Sequence, residues 1–282
     1  MRRTGLISEV RVLAAEARKH GRTIGFVPTM GYLHQGHLEL VSTARREDCF
    51  TIMSIFVNPL QFGPTEDFNK YPRDLERDAA LAEGAGVDLL FHPQAEEMYP
   101  EPMLTFLEVD KLGDRMCGAS RPGHFRGVTT VVGKLFNIVQ PDKAYFGEKD
   151  FQQLQIIKRM VKDLQFPVEI VGVPIVREVD GLARSSRNVF LSPGQRSEAL
   201  VLSRSLREAA DRIRAGEHDT SALEIMIKEK IEFESHGEID YVEVRRTADL
   251  ERPSLITGEV VIALAVRFGT TRLIDNTVVE VK

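Results

Sequence analysis

The chain has 282 residues, 43% hydrophobic and 28% charged, the composition of a globular protein with two domains or one large α/β unit at about 150 residues per domain. Its 42 acidic and 37 basic side chains leave a formal charge of −5, without the basic excess by which general nucleic-acid binders neutralise phosphates, so no nucleic-acid partner is expected. The longest apolar run, Val260 to Val266, falls far short of the roughly 20 residues that span a bilayer. The amino terminus carries no apolar h-region, and the 2 cysteines are too few for a disulfide scaffold. These features predict no membrane partner and a cytoplasmic location.

In chain order, Thr23 to Pro28 predicts a strand and Gly36 to Glu47 a helix. Thr51 to Val57 is β-branched and apolar on both faces, as in a strand buried within a parallel sheet. A helix over Asp74 to Gly84 and a strand over Val87 to Phe91 follow. Glu97 to Phe125, rich in Pro and Gly, reads as an irregular excursion beside a site. Strands over Asp142 to Phe146 and Val168 to Val173 flank a helix over Phe151 to Leu164. This alternation implies βαβ units and a parallel sheet. Beyond Ser192-Pro193, helices over Arg196 to Arg214 and Ser221 to Phe233 precede three alternating runs, Ile239 to Arg245, Glu259 to Phe268 and Leu273 to Val279. The expected fold class is α/β, with a parallel-sheet domain over residues 1–175 and a smaller α+β domain with an antiparallel sheet over 176–282.

No G-x-G-x-x-G follows the first strand and no Walker A run occurs, which removes two common nucleotide-binding patterns. The first strand runs instead into a segment carrying His34, Gly36 and His37. The two histidines share a face of the first helical turn, Gly36 has no Cβ to hold a nucleotide off the backbone, and a helix amino terminus favours phosphate. Two surface histidines at a capped helix start satisfy the same spacing, while zinc lacks a third ligand nearby.

A second cluster, Phe146 to Gln153, again lies where a strand ends and a helix begins, the edge at which open α/β sheets bind ligands. Lys149 suits a phosphate and Asp150 a ribose hydroxyl or a metal, although the acidic residues also suit a helix amino terminus. A third, Gly181 to Asn188, joins a turn to two hydroxyls and two guanidiniums, fitting a triphosphate leaving group or a solvated basic turn. Finally, Asn58 and Gln61 follow the second strand, Gln153 lies one turn beyond Lys149, and Val128, Val131 and Val132 recur at helical spacing. Two glutamines against valines suit a small branched polar acid, although for the valines ordinary core packing is the better explanation.

The stretches PTMGYLHQGH, FVNPLQFGPTEDFNKYPRD, RPGHFRGVTTVVGKLFNIVQPDKAYFGEKDFQQL and DGLARSSRN resemble, in order and spacing over most of residues 28–190, the pantothenate synthetase (pantoate–β-alanine ligase) family. The resemblance implies a Rossmann-like domain of the class I aminoacyl-tRNA synthetase and nucleotidyltransferase superfamily, with its H-x-G-H element at His34 to His37 and a smaller carboxyl-terminal lid. Arg184 to Arg187 stand where the superfamily has its mobile K-M-S-K-S loop. The implied reaction joins pantoate to β-alanine through a pantoyl adenylate, consuming ATP and releasing AMP and pyrophosphate. Mg²⁺ and a cytoplasmic homodimer are implied as well.

The implied ATP site comprises Met30, Gly31, Tyr32, Leu33, His34, Gln35, Gly36, His37, Gly147, Glu148, Lys149, Asp150, Val176, Arg184, Ser185, Ser186 and Arg187. Of these, His34, His37, Lys149, Ser185 and Arg187 form the implied catalytic group, with His37 at the family's proton-donor position. The resemblance maps pantoate onto Gln61 and Gln153, Gln61 also facing β-alanine; Asn58 and the three valines complete the expected substrate pocket. Arg184 departs from the Met that the family often carries, and Asp74, Glu76 and Asp78 are the candidate carboxylates for Mg²⁺. A nucleotidyltransferase that keeps the nucleotide on its product and a non-catalytic nucleotide-binding regulator share these motifs. A transfer-RNA synthetase needs an anticodon-binding region for which no length remains.

Overall fold

The computed structural model describes residues 1–63, 68 and 71–281. Its amino-terminal part contains β1 (Arg2–Thr4), α1 (Ile7–Lys19), β2 (Ile24–Thr29), α2 (Gln35–Arg46), β3 (Phe50–Ile55), α3 (Leu75–Gly84) and β4 (Leu89–Phe91). The short helices α4 (Ala95–Met98) and α5 (Cys117–Ser120) punctuate the irregular excursion, followed by α6 (His124–Val139), β5 (Lys143–Gly147), α7 (Phe151–Leu164) and β6 (Glu169–Val173). The six strands form one sheet in the order β1-β4-β3-β2-β5-β6, every pair parallel.

The strands are apolar on both faces because helices cover both. On one face α1, α6 and α7 bring Val10, Val132, Leu135 and Ile157 onto Phe26, Ile52 and Leu89. On the other, α2 and α3 bring Val41, Ala44, Ala79 and Ala82 onto Val27, Met53 and Leu90. Each large side chain so buried contributes about 1.5–3 kcal/mol. From β2 the chain crosses through α2 to β3 on one side, whereas β5 crosses through α7 to β6 on the other. The adjacent ends of β2 and β5 therefore flank the switch point of the sheet, where a crevice opens.

The carboxyl-terminal part contains α8 (Pro193–Glu198), α9 (Leu200–Arg214), α10 (Thr220–Glu234), β7 (Glu238–Arg246), β8 (Gly258–Phe268) and β9 (Thr271–Val281). The three strands form an antiparallel sheet in chain order. In β8, Val260, Ile262, Leu264 and Val266 face α9 and α10, while Val261 and Ala263 pack against Met116 and Phe151 of the first part. Covering on both faces explains the uninterrupted apolar run. No helix among the described residues is long and apolar enough to cross a membrane.

The single helix expected over Arg196 to Arg214 is two, parted at Ala199; the first starts on a capping box between Ser192 and Gln195. Neither β1 nor α1 was expected. β1 has three residues, two of them arginine, and the buried stripe of α1 is Val10, Ala14 and Ala17, a weak apolar signal.

Candidate active site

The segment after β2 is shaped by a buried carboxylate. Gly31 and Tyr32 take left-handed backbone conformations (φ 87° and 50°), turning the N–H groups of Tyr32 and Leu33 onto Asp78 of α3 at 2.6 and 2.7 Å. Asp78 is 1% exposed; burial pushes its carboxyl above the ordinary range, and the two N–H bonds and Arg77 pull the other way. Arg77 completes the cradle, donating to the Leu33 carbonyl and lying 4.9 Å from the Tyr32 ring centre.

This turn delivers the histidines to the start of α2. The Nδ1 of His34 accepts from Gly36 N–H at 3.1 Å, and the Nδ1 of His37 accepts from His34 N–H at 3.3 Å. The rings stack with centres 4.0 Å apart. A neutral imidazole has one donor and one acceptor nitrogen, so these bonds assign the proton of each ring to Nε2. Burial, then the Lys149 charge, lowers the pKa of His34 to about 4. Burial, then His34 and Lys149, holds His37 well below its ordinary value. At neutral pH both rings are thus uncharged N–H donors. Gly36 is required by this arrangement, since a Cβ there would stand 2.9 Å from the His34 ring. The space expected to admit a nucleotide against Gly36 is shared with that ring.

Because the folded protein disfavours His34 protonation, the unfolded chain binds the proton first as pH falls. The stability this contributes is complete above the ordinary value of 6.5 and is lost as pH drops towards about 4. The ligand-free protein should lose melting temperature over that window, and His34→Gln should flatten part of the loss. An unchanged slope in the variant would contradict the assignment.

The other segments meet this one across a cavity of about 220 Å³ at the ends of β2 and β5. Its wall includes Met30, His34, Gly36, His37, Gln61, Val128, Val131, Val132, Gly147, Lys149, Asp150, Gln153, Val176, Arg184, Ser185, Ser186 and Arg187. Gln61 is fixed in orientation: Asn58 donates to its Oε1 at 3.2 Å, and its Nε2 donates to the Met30 sulfur at 3.0 Å. The close approach of α6 that brings the valines alongside depends on Gly127, where a Cβ would fall 2.2 Å from the Leu60 carbonyl oxygen. The valines are at once core residues and wall. Among the described residues, Lys149 makes no ion pair and the Gln153 amide no hydrogen bond. Arg184 donates its backbone N–H to the Val176 carbonyl at 2.9 Å; the residue lines the cavity, and its Nε is buried without a hydrogen-bond partner in the protein.

Six of the expected residues do not line this cavity. Asn58 is 1% exposed, and its amide bonds to Gln61, Gly127, Leu60 and Tyr99. Leu33 is buried in the core, Gly31 and Tyr32 form the turn, Gln35 is exposed, and Glu148 lays its carboxylate over Gly172. The carboxylates considered for Mg²⁺ are elsewhere as well: Asp74 caps α3, Glu76 pairs with Arg3, and Asp78 holds the turn. Among the described residues no group of three His, Cys, Asp or Glu is arranged to hold a metal; Asp150 is the carboxylate on the cavity wall. Thr29, Tyr71, Phe56 and Leu135 also line it, of which Thr29 and Tyr71 are polar.

The family model for pantoate-beta-alanine ligase matches residues 4–278. The chain belongs to that family. It is 66% identical over 274 residues to a pantothenate synthetase of Desulfitobacterium hafniense, covering 97% of each chain. It is 56% identical over 281 residues to that of Acetivibrio thermocellus, covering 100% of both. Among solved structures, it is similar to the pantothenate synthetase of Thermus thermophilus, with a TM-score of 0.93 and 50% identity over 98% of this chain and 99% of that one. It is also similar to a pantoate-beta-alanine ligase of Francisella tularensis complexed with Beta-gamma ATP and Beta-alanine, with a TM-score of 0.81 and 33% identity over 98% and 97%. The parallel sheet and the small antiparallel sheet are those of the family's solved members.

Proposed function

We propose that the protein joins pantoate to β-alanine at the expense of ATP, in two steps within the one cavity. Pantoate's carboxylate attacks the α-phosphorus of ATP and pyrophosphate leaves; the amine of β-alanine then attacks the acyl adenylate's carbonyl, and AMP leaves. The observation that carries this reading is that one pocket is lined by two neutral histidines at the amino terminus of α2 and by Lys149, together with two glutamines and three valines. The first set suits a phosphate whose charge grows during transfer. The second suits a small branched acid with hydroxyls.

In this scheme His34, His37, Lys149, Ser185 and Arg187 hold the phosphates, and His37 acts by donating a hydrogen bond, since burial keeps its ring neutral. Gly147, Val176, Ser186 and the backbone of Met30 to Gly36 complete the nucleotide site. Gln61 and Gln153 hold pantoate. Were Mg²⁺ to accompany the triphosphate, Asp150 would be the described carboxylate of the cavity wall able to help hold it, and the ion would supply neutralisation of the phosphate charge. Residues 1–175 bind ATP and pantoate; residues 176–282 close as a lid that keeps water from the adenylate. The protein works as a cytoplasmic homodimer.

Product identity tests the reading. With ATP, Mg²⁺, pantoate and β-alanine, mass spectrometry should find pantothenate and AMP. A product retaining the nucleotide would make the protein a nucleotidyltransferase, and ATP binding without turnover would make it a regulator. Gln153→Ala should raise the KM for pantoate about tenfold, the worth of a hydrogen bond to a polar substrate, and leave that for ATP little changed. An unaltered pantoate titration would remove Gln153 from the pocket's function.

A further inference from the structure

We infer that two adjacent residues of β9, Asp275 and Asn276, are positioning residues that set the two phosphate-handling segments against each other. The inference rests on the ligase reading above. Both residues belong to the small antiparallel sheet and both are buried, at 3% and 4% exposure. The Asn276 side-chain amide donates to the carbonyls of Glu148 and Lys149, each at 2.9 Å. It thereby grips the turn that presents Lys149 and Asp150, from a residue more than 120 positions away. Asp275 accepts hydrogen bonds from the two terminal guanidinium nitrogens of Arg177, at 2.7 and 2.9 Å, a forked pairing that fixes orientation as well as distance.

Arg177 in turn organises the segment that ends in Arg184 to Arg187. It donates to the Gly181 carbonyl at 3.1 Å and pairs across a bridge with Ala183, next to the Arg184 N–H bond to Val176. A further bond within β9, from Asn276 N–H to the Asp275 carboxylate at 2.8 Å, ties the two residues together. They also line a second cavity, of about 650 Å³, that shares Lys149, Asp150, Gln153, Ser185 and Arg187 with the first. One strand of the second sheet thus holds the Lys149 turn with one side chain and the Arg184–Arg187 segment with the next. Docking of that sheet and alignment of the phosphate donors are a single event.

Asn276→Asp tests this with little change of volume, because it replaces a donating amide with a carboxylate oxygen facing two carbonyls. Pyrophosphate release in a single turnover should slow about 100-fold, the effect of displacing a catalytic group by around an ångström. The same substitution in a Lys149→Ala background should slow release further by less than about threefold, because it acts through a group already removed. A residue that merely glued the two parts together would show its full loss in both backgrounds. Asn276→Ala, which removes the donors without adding charge, serves if the aspartate variant does not fold, and is held to the same comparison. Asp275→Asn should likewise lose much of its effect in an Arg187→Ala background. A wild-type protein that releases no pyrophosphate would overturn the ligase reading; an active wild type with an unimpaired Asn276→Asp variant, or with full loss in both backgrounds, would overturn the positioning role alone.

Discussion

Replacing His37 or Lys149 by alanine should slow adenylate formation about 100-fold or more, the scale of a lost electrostatic stabiliser in a water-excluded site. The two residues contribute differently. Lys149 brings a full charge that no ion pair among the described residues satisfies, so its attraction is available to a phosphate. His37 brings a neutral Nε2–H whose direction is set by the bond from His34 N–H to Nδ1. Its ring stays uncharged because protonation would place a cation in a buried position beside Lys149. The alanine variants are best compared by single-turnover release of pyrophosphate from ATP and pantoate. Rates near wild type in both would remove these residues from the chemistry.

Asp78 should be nearly as important without touching a substrate. Asp78→Ala leaves the N–H groups of Tyr32 and Leu33 without their acceptor, and each buried donor so orphaned costs about 1–3 kcal/mol. Arg77 loses its carboxylate partner at 3.1 Å as well. The left-handed turn at Gly31 and Tyr32 then has little to hold it, and the start of α2 with both histidines is released. Melting temperature should fall by several degrees, and the KM for ATP should rise about tenfold or more, as expected when positioned donors drift. Asp78→Asn should fall between, because it keeps one acceptor and presents a second donor to an N–H. Wild-type stability and ATP affinity in the alanine variant would show that the turn holds itself.

Much of this architecture is legible in the chain. Strands such as Thr51 to Val57 announce burial on both faces, and each of the three segments proposed to handle phosphate is continuous in sequence, with its histidines, lysine or arginines a few residues apart. Their convergence follows from a topological rule, since two of them leave adjacent strands at the sheet's switch point. The positioning residues are not legible in the same way. Asp78 looks like any acidic residue in a helix's first turn, and its role arises from contact with a segment 45 residues earlier. Asp275 and Asn276 act across a still longer separation. Asn58 shows the same limit from the other side. Its amide beside Gln61 suggests a ligand contact, yet every hydrogen-bonding direction is filled from within the protein. Residue type signals hydrogen-bonding capacity, but only the packed fold determines which capacity remains for a substrate.

The central claim is that one cavity first activates pantoate and then passes it to an amine. Pyrophosphate release from ATP, Mg²⁺ and pantoate, followed before and after β-alanine is added, tests it most directly. The expected result is a burst of about one equivalent per site with pantoate, becoming steady turnover only once β-alanine is present. No release in either condition, with ATP binding intact, would contradict it.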